Sequence, residues 1–377
     1  MEKKKIIFIP NHFQYSDGTS RALIGIVNNL DLEKFDITIK PIYKCDFNLK
    51  SELKKEIKLE KTFGFYFKGF NKIVKKIPIK FLYKKIINKK YDIEVAFQCD
   101  LPTMLVGASL NDKAVHVEWM HGYDLWPKQY KIADKVVCVS KYCEEKTRKE
   151  MNGNVNVTHC YNLVDDSYVL KQAQNKISQE EDYSKIKKPL FVTVGRLSPE
   201  KGYIRLIKIM KELSNEGLSF SLVIIGNGPE EKKIKEEIKK NNLQDYIFMT
   251  GAKKNPHNIT SQADCFICSS FNEGYSTACT EAAILGIPII TTNVPGGKEI
   301  IDDCECGILT ELDDESLKKG IREVLLNPSI LDKWKKNLTM TKHKFGLENR
   351  KKEMKVLFDE FYQLAEKKLN NISRFIL

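Results

Sequence analysis

Short apolar runs alternate along the chain with segments whose apolar residues recur at helical spacing. In the first half these runs predict strands at residues 5–10, 36–42, 92–98, 114–120, 135–140 and 155–162. Helical spacing is present between them at residues 19–30, 69–89, 102–110 and 141–151. Strands that alternate with helices pair in parallel through crossover connections, so this half predicts one doubly wound α/β domain.

A second series of the same kind follows a polar, apolar-poor segment, residues 170–188, which we interpret as a connector. The predicted strands of this series are residues 190–195, 220–226, 246–251, 265–270, 287–292 and 307–310. The tail from about residue 315 is helical and ends in an amphipathic run, residues 348–369. The pattern predicts two Rossmann-like domains, residues 1–170 and 171–354, facing a central cleft at the carboxyl ends of their strands.

Length and composition agree with a two-domain globular protein. The chain has 377 residues, more than one hydrophobic core usually supports, and 42% of them are hydrophobic. The opening MEKKKIIFIP has only a short apolar run closed by Pro10, so it does not resemble a signal peptide, and no run of ~18 apolar residues occurs. Ten cysteines without paired spacing suit reduced thiols, and we expect a cytoplasmic protein.

Positive charge is concentrated between Lys50 and Lys90. This segment has 14 lysines and three glutamates, whereas the whole chain has a net charge of +12. Aromatic and aliphatic residues are interleaved with the lysines, so two interpretations stay open: a solvated basic face over buried apolar residues, or a peripheral contact with an anionic membrane. Nucleic acid is not an expected partner, because no known DNA- or RNA-binding motif is present.

Loops that follow predicted strands contain the candidate chemistry. After the first strand, DGTSR places Gly18 at a helix start whose free N–H groups suit a phosphate, although an ordinary capped helix start has the same pattern. GRLSPEKG places Arg196 and Lys201 in one loop, where two cations can neutralise a diphosphate. One unit later, Gly226 and Asn227 form a glycine-rich turn that either brings the backbone close to a ligand or is simply a turn.

The stretch NEGYSTACTEA, residues 272–282, contains two carboxylates on a predicted strand–loop–helix unit. Gly274 permits a sharp turn, and the N–H groups at the helix start, those of Tyr275, Ser276 and Thr277, can hold a phosphate. Glu273 precedes this point, and Glu281 follows it by about 8 Å at ~1.5 Å per residue. One carboxylate on each side of a bound diphosphate suits hydrogen bonds to a sugar and to a ribose, and small neighbours of Glu281 predict that it is buried.

No metal site is expected. The sequence has no Asp-x-Asp, and its only Cys-x-x-Cys, Cys265 with Cys268, lies in a predicted buried strand without a second ligand pair. Arg196, Lys201 and helix N-termini would then balance the charge of a leaving diphosphate. We expect no cofactor.

These motifs together resemble the donor-binding domain of retaining glycosyltransferases of family 4, which have the two-domain GT-B fold. GRLSPEKG, GNGPE and NEGYSTACTEA followed by LGIPIITTNVPGGKEII are the matching segments. The resemblance implies that Arg196 and Lys201 contact the donor diphosphate, that Glu281 binds the ribose hydroxyls, and that Glu273 binds hydroxyls of the transferred sugar.

The resemblance also assigns residues whose role the sequence pattern leaves open. The amides from Gly274 to Thr277 would help to hold sugar and phosphate, and Lys253 in GAKKNP lies where family members surround the nucleotide base. His121 in WMHGYD is similar in position to a histidine that reaches the donor sugar. The DGTSR loop departs from the glycine pair that members often carry. A C-terminal helix, about residues 355–377, would join the first domain.

The expected function is transfer of a hexose from a nucleotide diphosphate sugar, preferably a UDP-sugar, to a hydroxyl of a glycan or lipid-linked acceptor. This transfer would retain the anomeric configuration and would serve cell-surface polysaccharide synthesis. Two alternatives stay open: a sugar-nucleotide 2-epimerase, which shares the architecture, and a non-catalytic partner subunit that resembles a glycosyltransferase.

Overall fold

The computed structural model describes residues 2–15, 17–67, 69–122, 132–183 and 186–373. It divides the chain into two compact units. Unit 1 comprises Met1–Leu163 together with Arg350–Leu377, and unit 2 comprises Val164–Asn349. Within the described ranges, no helix combines the length and the hydropathy that a membrane crossing needs.

Unit 1 is built on a parallel seven-stranded sheet. Its strands are β1 (Lys4–Ile9), β2 (Phe35–Ile39), β3 (Lys58–Leu59), β4 (Ile93–Ala96), β5 (Val115–Met120), β6 (Lys135–Cys138) and β7 (Val157–His159), in the spatial order β3-β2-β1-β4-β5-β6-β7. Its helices are α1 (Gly18–Asn28), α2 (Phe70–Val74), α3 (Ile79–Ile86), α4 (Leu101–Val106) and α5 (Lys141–Glu150). Strands β4, β5 and β6 are buried at every position, as expected for a sheet covered on both faces.

Unit 2 is built on a parallel six-stranded sheet. Its strands are β8 (Leu190–Val194), β9 (Ser221–Ile225), β10 (Ile247–Gly251), β11 (Cys265–Cys268), β12 (Ile289–Thr292) and β13 (Gly307–Thr310), in the order β10-β9-β8-β11-β12-β13. Its helices are α6 (Asp166–Ala173), α7 (Tyr203–Asn215), α8 (Glu231–Lys240), α9 (His257–Thr260), α10 (Thr277–Ile284), α11 (Pro295–Cys304), α12 (Asp314–Leu326) and α13 (Ile330–Thr341). Because the strand order reverses between β8 and β11, the loops after these two strands are neighbours.

One predicted helix differs from the structure, and one strand was not predicted. The single helix predicted over residues 69–89 is wrong: α2 ends at Val74 and α3 begins at Ile79, because Pro78 cannot donate a helical hydrogen bond and disfavours helical backbone at the preceding residue. The sequence also gave no indication of β3, whose two residues are too few to form a pattern.

The junctions between the units lie close to, but not at, the sequence-based boundaries. Helix α6 occupies the start of the predicted connector, and its Gln172 carbonyl accepts a 2.8 Å hydrogen bond from the Asn255 side chain, so α6 packs within unit 2. The last helix, α14 (Leu347–Ser373), passes into unit 1 at Arg350, which donates a 2.8 Å hydrogen bond to the Asn162 carbonyl. Further along α14, Phe358 packs against rings of the unit 1 sheet.

Candidate functional site

Two loops interlock at the carboxyl ends of β8 and β11. The loop after β8 runs from residue 195 to 202, and the loop after β11 runs from residue 269 to 276. The Ser269 hydroxyl donates to the Lys201 carbonyl at 2.9 Å, and the Phe271 amide donates to the Glu200 carbonyl at 2.7 Å. The fold therefore brings the cationic loop and the carboxylate loop of the sequence motifs into one site.

Glycines are required where the loop after β8 touches the loops after β11 and β9. Gly202 has φ of 69°, and a Cβ there would lie 2.2 Å from the Ser269 carbonyl oxygen. Gly226 has φ of 151°, and a Cβ there would lie 1.9 Å from the Gly195 carbonyl oxygen. Contact between backbones is thus enough to explain both glycines.

Lys201 and Glu273 form an ion pair at the centre of the site. The Lys201 Nζ lies 2.6 and 2.8 Å from the two carboxylate oxygens of Glu273, and the two side chains are only 22% and 18% exposed. Burial acts to lower the pKa of Lys201, but the charge of Glu273 and its hydrogen bond outweigh burial and raise that pKa above its usual value. A fixed cation and a fixed anion therefore lie side by side.

Arg196 adds a second cation to the same loop. Its side chain is exposed. Burial acts to raise the pKa of the nearby Glu200, yet hydrogen bonds, first that of the Ser198 hydroxyl, and the charges of Arg196 and Lys201 lower it overall. The loop therefore has a positive local field, which suits an anionic ligand.

The start of α10 offers backbone donors next to the ion pair. The Ser276 hydroxyl caps the helix by accepting a hydrogen bond from the Cys279 amide at 3.3 Å. Gly296 at the start of α11 presses on this turn, since a Cβ there would lie 2.5 Å from the Tyr275 Cα. In the described part of the chain no acceptor takes the amides of Gly274 or Thr277. Such amides at a helix N-terminus suit a phosphate group.

Glu281 is more accessible than its sequence neighbours suggested. Its side chain is 28% exposed, so the expectation of a buried carboxylate is wrong: small residues around it line the helix without covering it. His257 lies beside it, with Nδ1 3.8 Å from Oε2. Because burial lowers the pKa of His257 to about 4, the ring is neutral at neutral pH, and the carboxylate has no charged histidine partner.

Lys253 and Asn227 lie on the neighbouring loops of unit 2. The Lys253 ammonium forms a 2.5 Å ion pair with Glu181 of the connector, a partner that the sequence did not suggest. Asn227 has an exposed side chain, and its carbonyl accepts a 2.8 Å hydrogen bond from the Leu197 amide. The loops after β8 and β9 are thus joined through their backbones.

The other two predicted residues, His121 and Gly18, belong to unit 1. His121 directly follows β5, with its ring 4.6 Å from that of Phe97, and burial lowers the pKa of His121 to about 3. Its Nε2 is buried without a hydrogen-bond partner among the described residues, and the WMHGYD motif continues outside them from residue 123. Gly18 is the first residue of α1, where the side chain of Asp17 caps the helix and no atom lies within 4 Å of an added Cβ.

Sequence analysis missed one residue that organises the site. Arg205 of α7 is only 5% exposed and donates hydrogen bonds to carbonyls at the start of the loop that contains Glu273. A signal was present, because Arg205 interrupts the buried apolar face of α7, four residues before the fully interior Ile209. A buried charge on such a face needs partners, which implies a structural or functional role.

The cysteines provide no ligand set near this site. All ten are free thiols, and the Cys268 thiol interacts with the thiol of Cys279 and the hydroxyl of Ser270 rather than with Cys265. Across the described ranges, no three His, Cys, Asp or Glu side chains group closely enough to hold a metal ion.

Comparison with known proteins identifies the domain that contains this site. The family model described as glycosyl transferases group 1 matches residues 175–340, which include both interlocked loops and α10. The matched range is less than half of the 377-residue chain. The GRLSPEKG and NEGYSTACTEA loops both lie within it.

Two similar proteins that match about half of the chain are glycosyltransferases. An uncharacterized glycosyltransferase of Methanocaldococcus jannaschii is 30% identical over 186 residues, 49% of this chain and 46% of its own length. The N-acetylgalactosamine-N,N'-diacetylbacillosaminyl-diphospho-undecaprenol 4-alpha-N-acetylgalactosaminyltransferase of Campylobacter jejuni is 27% identical over 49% of this chain and 48% of its own length. The match thus spans about half of each of these two relatives.

Other comparisons extend over both units. An uncharacterized glycosyltransferase of Haemophilus influenzae is 23% identical over 92% of this chain and 97% of its own length. The crystal structure of Anabaena Alr3699/HepE in complex with UDP superposes with a TM-score of 0.70 at 15% identity, covering 94% of this chain and 100% of that chain. The chain therefore has the GT-B fold, and the range that the family model matches lies within unit 2.

Proposed function

We propose that this protein is a retaining glycosyltransferase that moves a hexose from a nucleotide diphosphate sugar to a hydroxyl group of a glycan or a lipid-linked acceptor. The observation that supports this most strongly is the interlocked pair of loops after β8 and β11. These loops place Lys201 in contact with Glu273 and set Arg196 on the same loop as Lys201. A site with two cations, a carboxylate and a helix N-terminus suits an anionic sugar donor.

In this proposal the donor diphosphate is held without a metal ion. Arg196, Lys201 and the amides from Gly274 to Thr277 would neutralise the charge that develops when the diphosphate leaves. The ion pair of Lys201 with Glu273 fits this role, because it holds the ammonium in a fixed place before the donor arrives. Lys253, Gly226 and Asn227 would complete the nucleotide side of the site, and Gly18 stays a proposed backbone contact of the donor.

The two carboxylates would grip hydroxyl groups rather than act as an acid and a nucleophile. Glu273 is paired with an ammonium and so is poorly suited to donate a proton, whereas two-carboxylate hydrolysis needs one such acid. Glu273 would bind the transferred sugar, and Glu281, partly exposed, would bind the ribose. His121 would offer a neutral imidazole to the sugar.

The transfer would take place on one face of the sugar. The bond between the anomeric carbon and the phosphate oxygen breaks, and the acceptor oxygen forms its bond to the same carbon from the same side. The departing phosphate oxygen takes the proton of the acceptor hydroxyl, and Arg196 and Lys201 stabilise the remaining negative charge. No protein carboxylate then needs to form a covalent intermediate.

Named ligands of similar proteins support a choice of substrates. The HepE structure contains UDP, and the Campylobacter relative is named for a diphospho-undecaprenol acceptor. By analogy we propose a UDP-sugar donor and a polyprenol-linked or glycan acceptor in cell-surface polysaccharide synthesis, such as that of capsule or lipopolysaccharide.

The basic segment from Lys50 to Lys90 would rest on an anionic membrane. Helix α3 buries Leu82, Tyr83 and Ile86 and turns Phe81, 67% exposed, outward among exposed lysines. Three more large apolar side chains of this segment are at least 49% exposed: Phe65, Phe67 and Ile73. Exposed aromatic residues among lysines are more typical of a surface that contacts anionic headgroups than of a surface that faces only water. This would place the protein in the cytoplasm, in peripheral contact with the inner face of the membrane.

A donor screen tests the proposed function. Thermal unfolding is measured with a panel of UDP-, GDP- and ADP-sugars, and radiolabelled forms of any donor that binds are then incubated with acceptor lipids and glycans. We expect a UDP-sugar to raise the melting temperature and its label to move to the acceptor. Interconversion of two UDP-sugars without an acceptor would instead indicate a 2-epimerase, and absence of both binding and transfer would indicate a non-catalytic partner subunit.

A further inference from the structure

Arg205 grips the backbone that leads to Glu273. Its Nε and Nη2 donate to the Ser269 carbonyl at 3.0 and 2.6 Å, and Nη2 also reaches the Ser270 carbonyl at 3.3 Å. Its Nη1 donates to the Leu312 carbonyl at 2.6 Å, in the loop after β13. One side chain thus ties the loop after β11 to the loop after β13.

The guanidinium is shielded from water on its open side. The ring of Phe271 lies over it, 3.8 Å from Cζ to the ring centroid, and Asp314 Oδ1 lies 3.6 Å from Nη1. A buried guanidinium is costly to desolvate, so it needs hydrogen-bond acceptors. Its donors form a rigid planar fork, so the carbonyls that accept from it must lie in fixed positions. The start of the Glu273 loop therefore has one favoured position.

Lys201 and Arg205 hold two points of the same short loop. Lys201 precedes α7 and binds the carboxylate of Glu273, whereas Arg205, in the first turn of α7, binds the backbone at Ser269 and Ser270. A shift of that backbone would move Glu273 away from Lys201. The position of the carboxylate thus depends on Arg205, which bonds the backbone of the loop and not the carboxylate itself.

We propose that Arg205 is a positioning residue that sets the place of Glu273 and thereby the affinity for the sugar part of the donor. The inference rests on the proposed function, in which Glu273 binds the transferred sugar. It has a distinct consequence: loss of Arg205 affects binding of the nucleotide sugar more than binding of the nucleoside diphosphate alone. A residue that only stabilised unit 2 would affect both ligands alike.

Isothermal titration of the full chain with UDP-, GDP- and ADP-sugars and with the matching diphosphates tests this consequence. We expect Arg205→Met to weaken binding of the nucleotide sugar about tenfold, the loss of roughly one charge-assisted hydrogen bond, with less than about a twofold change for the diphosphate. Arg205→Lys keeps the charge but not the fork, so it should restore part of the lost affinity.

Two further variants keep the test interpretable. Arg322→Met removes an arginine that donates a 2.8 Å hydrogen bond on the surface to Glu216, the residue after α7, and we expect this variant to bind both ligands like the wild type. Phe271→Ala opens the guanidinium to water without deleting it, and should shift the ratio of the two affinities in the same direction as Arg205→Met. This variant keeps the proposal testable if Arg205→Met fails to fold.

The possible failures are distinguishable. A wild-type protein that binds none of the nucleotides overturns the proposed function and this inference with it. A wild type that binds both ligands, combined with Arg205 and Phe271 variants that leave the ratio of affinities unchanged, overturns the inference alone.

Discussion

Lys201 and Glu273 are partners in the structure although the sequence motifs assign them to different parts of a donor. Their spacing of 72 residues gave no sign of direct contact, which arises because β8 and β11 are adjacent at the point where the strand order reverses. A donor diphosphate would share the Lys201 ammonium with Glu273, since an ammonium has three N–H donors. The pair is therefore a preformed part of the site.

Other residues show where sequence patterns stop being informative. Glu273, Arg196 and Lys201 could be picked out because their motifs combine charge with glycines at fixed spacing. Arg205 has no such motif, and its role is visible only once Ser269 and Leu312 are seen around it. The accessibility of Glu281 depends on which way α10 turns its faces, which the small residues around it do not determine.

One buried carboxyl group, that of Glu94 in β4, should make the stability of the fold depend on pH. It is fully buried, accepts a 2.7 Å hydrogen bond from the Tyr83 hydroxyl, and lies 3.8 Å from Nε2 of His116. Burial raises the pKa of Glu94 to about 7, against roughly 4.3 in an unfolded chain. The folded state therefore binds this proton more tightly, and its contribution to stability is lost as pH rises from about 4 to about 7.

Glu94→Gln removes this titration and should flatten the stability profile. We expect the difference in free energy of unfolding between the variant and the wild type to change in favour of the variant as pH rises from 4.5 to 7.5, by on the order of 3 kcal/mol. Urea unfolding at both pH values measures it. Burial lowers the pKa of the neighbouring His116, which acts in the opposite direction. Exposed Glu236→Gln is the control, and a constant difference between Glu94→Gln and the wild type across this range would contradict the account.

At the scale of elements, the parallel strands were predictable and the short connections were not. Buried strands such as β9 and β11 are nearly continuous apolar runs, so they stand out from the chain without any tertiary information. The division between α2 and α3 depends on Pro78, which an otherwise periodic pattern conceals. The predicted loops were in the right places, but the contacts between them depend on strand order, which no local pattern contains.

The contact between the loops after β8 and β9 can be tested with two matched glycine substitutions. Gly226→Ala introduces a Cβ 1.9 Å from the Gly195 carbonyl oxygen, whereas Gly217→Ala, at φ of 81°, meets no atom within 4 Å. Both variants have the backbone strain of positive φ, about 1–2 kcal/mol, but only Gly226→Ala must also separate the loops. We expect Gly226→Ala alone to weaken nucleotide binding, measured by titration calorimetry. Equal nucleotide affinity in the two variants would show that the loop contact has no role in binding.

At the scale of the whole molecule, charge is distributed in a way that suggests a membrane-facing region. The segment Lys50–Lys90 has 14 lysines and three glutamates, whereas the lysines of α8 alternate with glutamates that pair with them. Helix α3 of this segment and helix α8 are both amphipathic. Only α3 also exposes a large aromatic side chain, that of Phe81.

A vesicle flotation experiment tests this region with a control from the same protein. Replacing Lys80, Lys84 and Lys85 of α3 by alanine should weaken binding to vesicles that contain phosphatidylglycerol, by about 1 kcal/mol per lysine. The same replacement of Lys232, Lys235 and Lys239 of α8 should have little effect, because glutamates neutralise that face. Wild-type binding that is independent of anionic lipid would contradict the membrane assignment.

The central claim, that Glu273 and Glu281 grip hydroxyl groups on opposite sides of a metal-free diphosphate, is tested most directly by titration calorimetry in the presence of EDTA. UDP and UDP-sugars are titrated into the wild type, Glu273→Gln and Glu281→Ala. The account predicts that Glu281→Ala weakens both ligands about tenfold or more through the lost ribose contact, whereas Glu273→Gln weakens only the UDP-sugar. Full affinity of Glu281→Ala for both ligands, or a wild type that binds only with added metal, would contradict it.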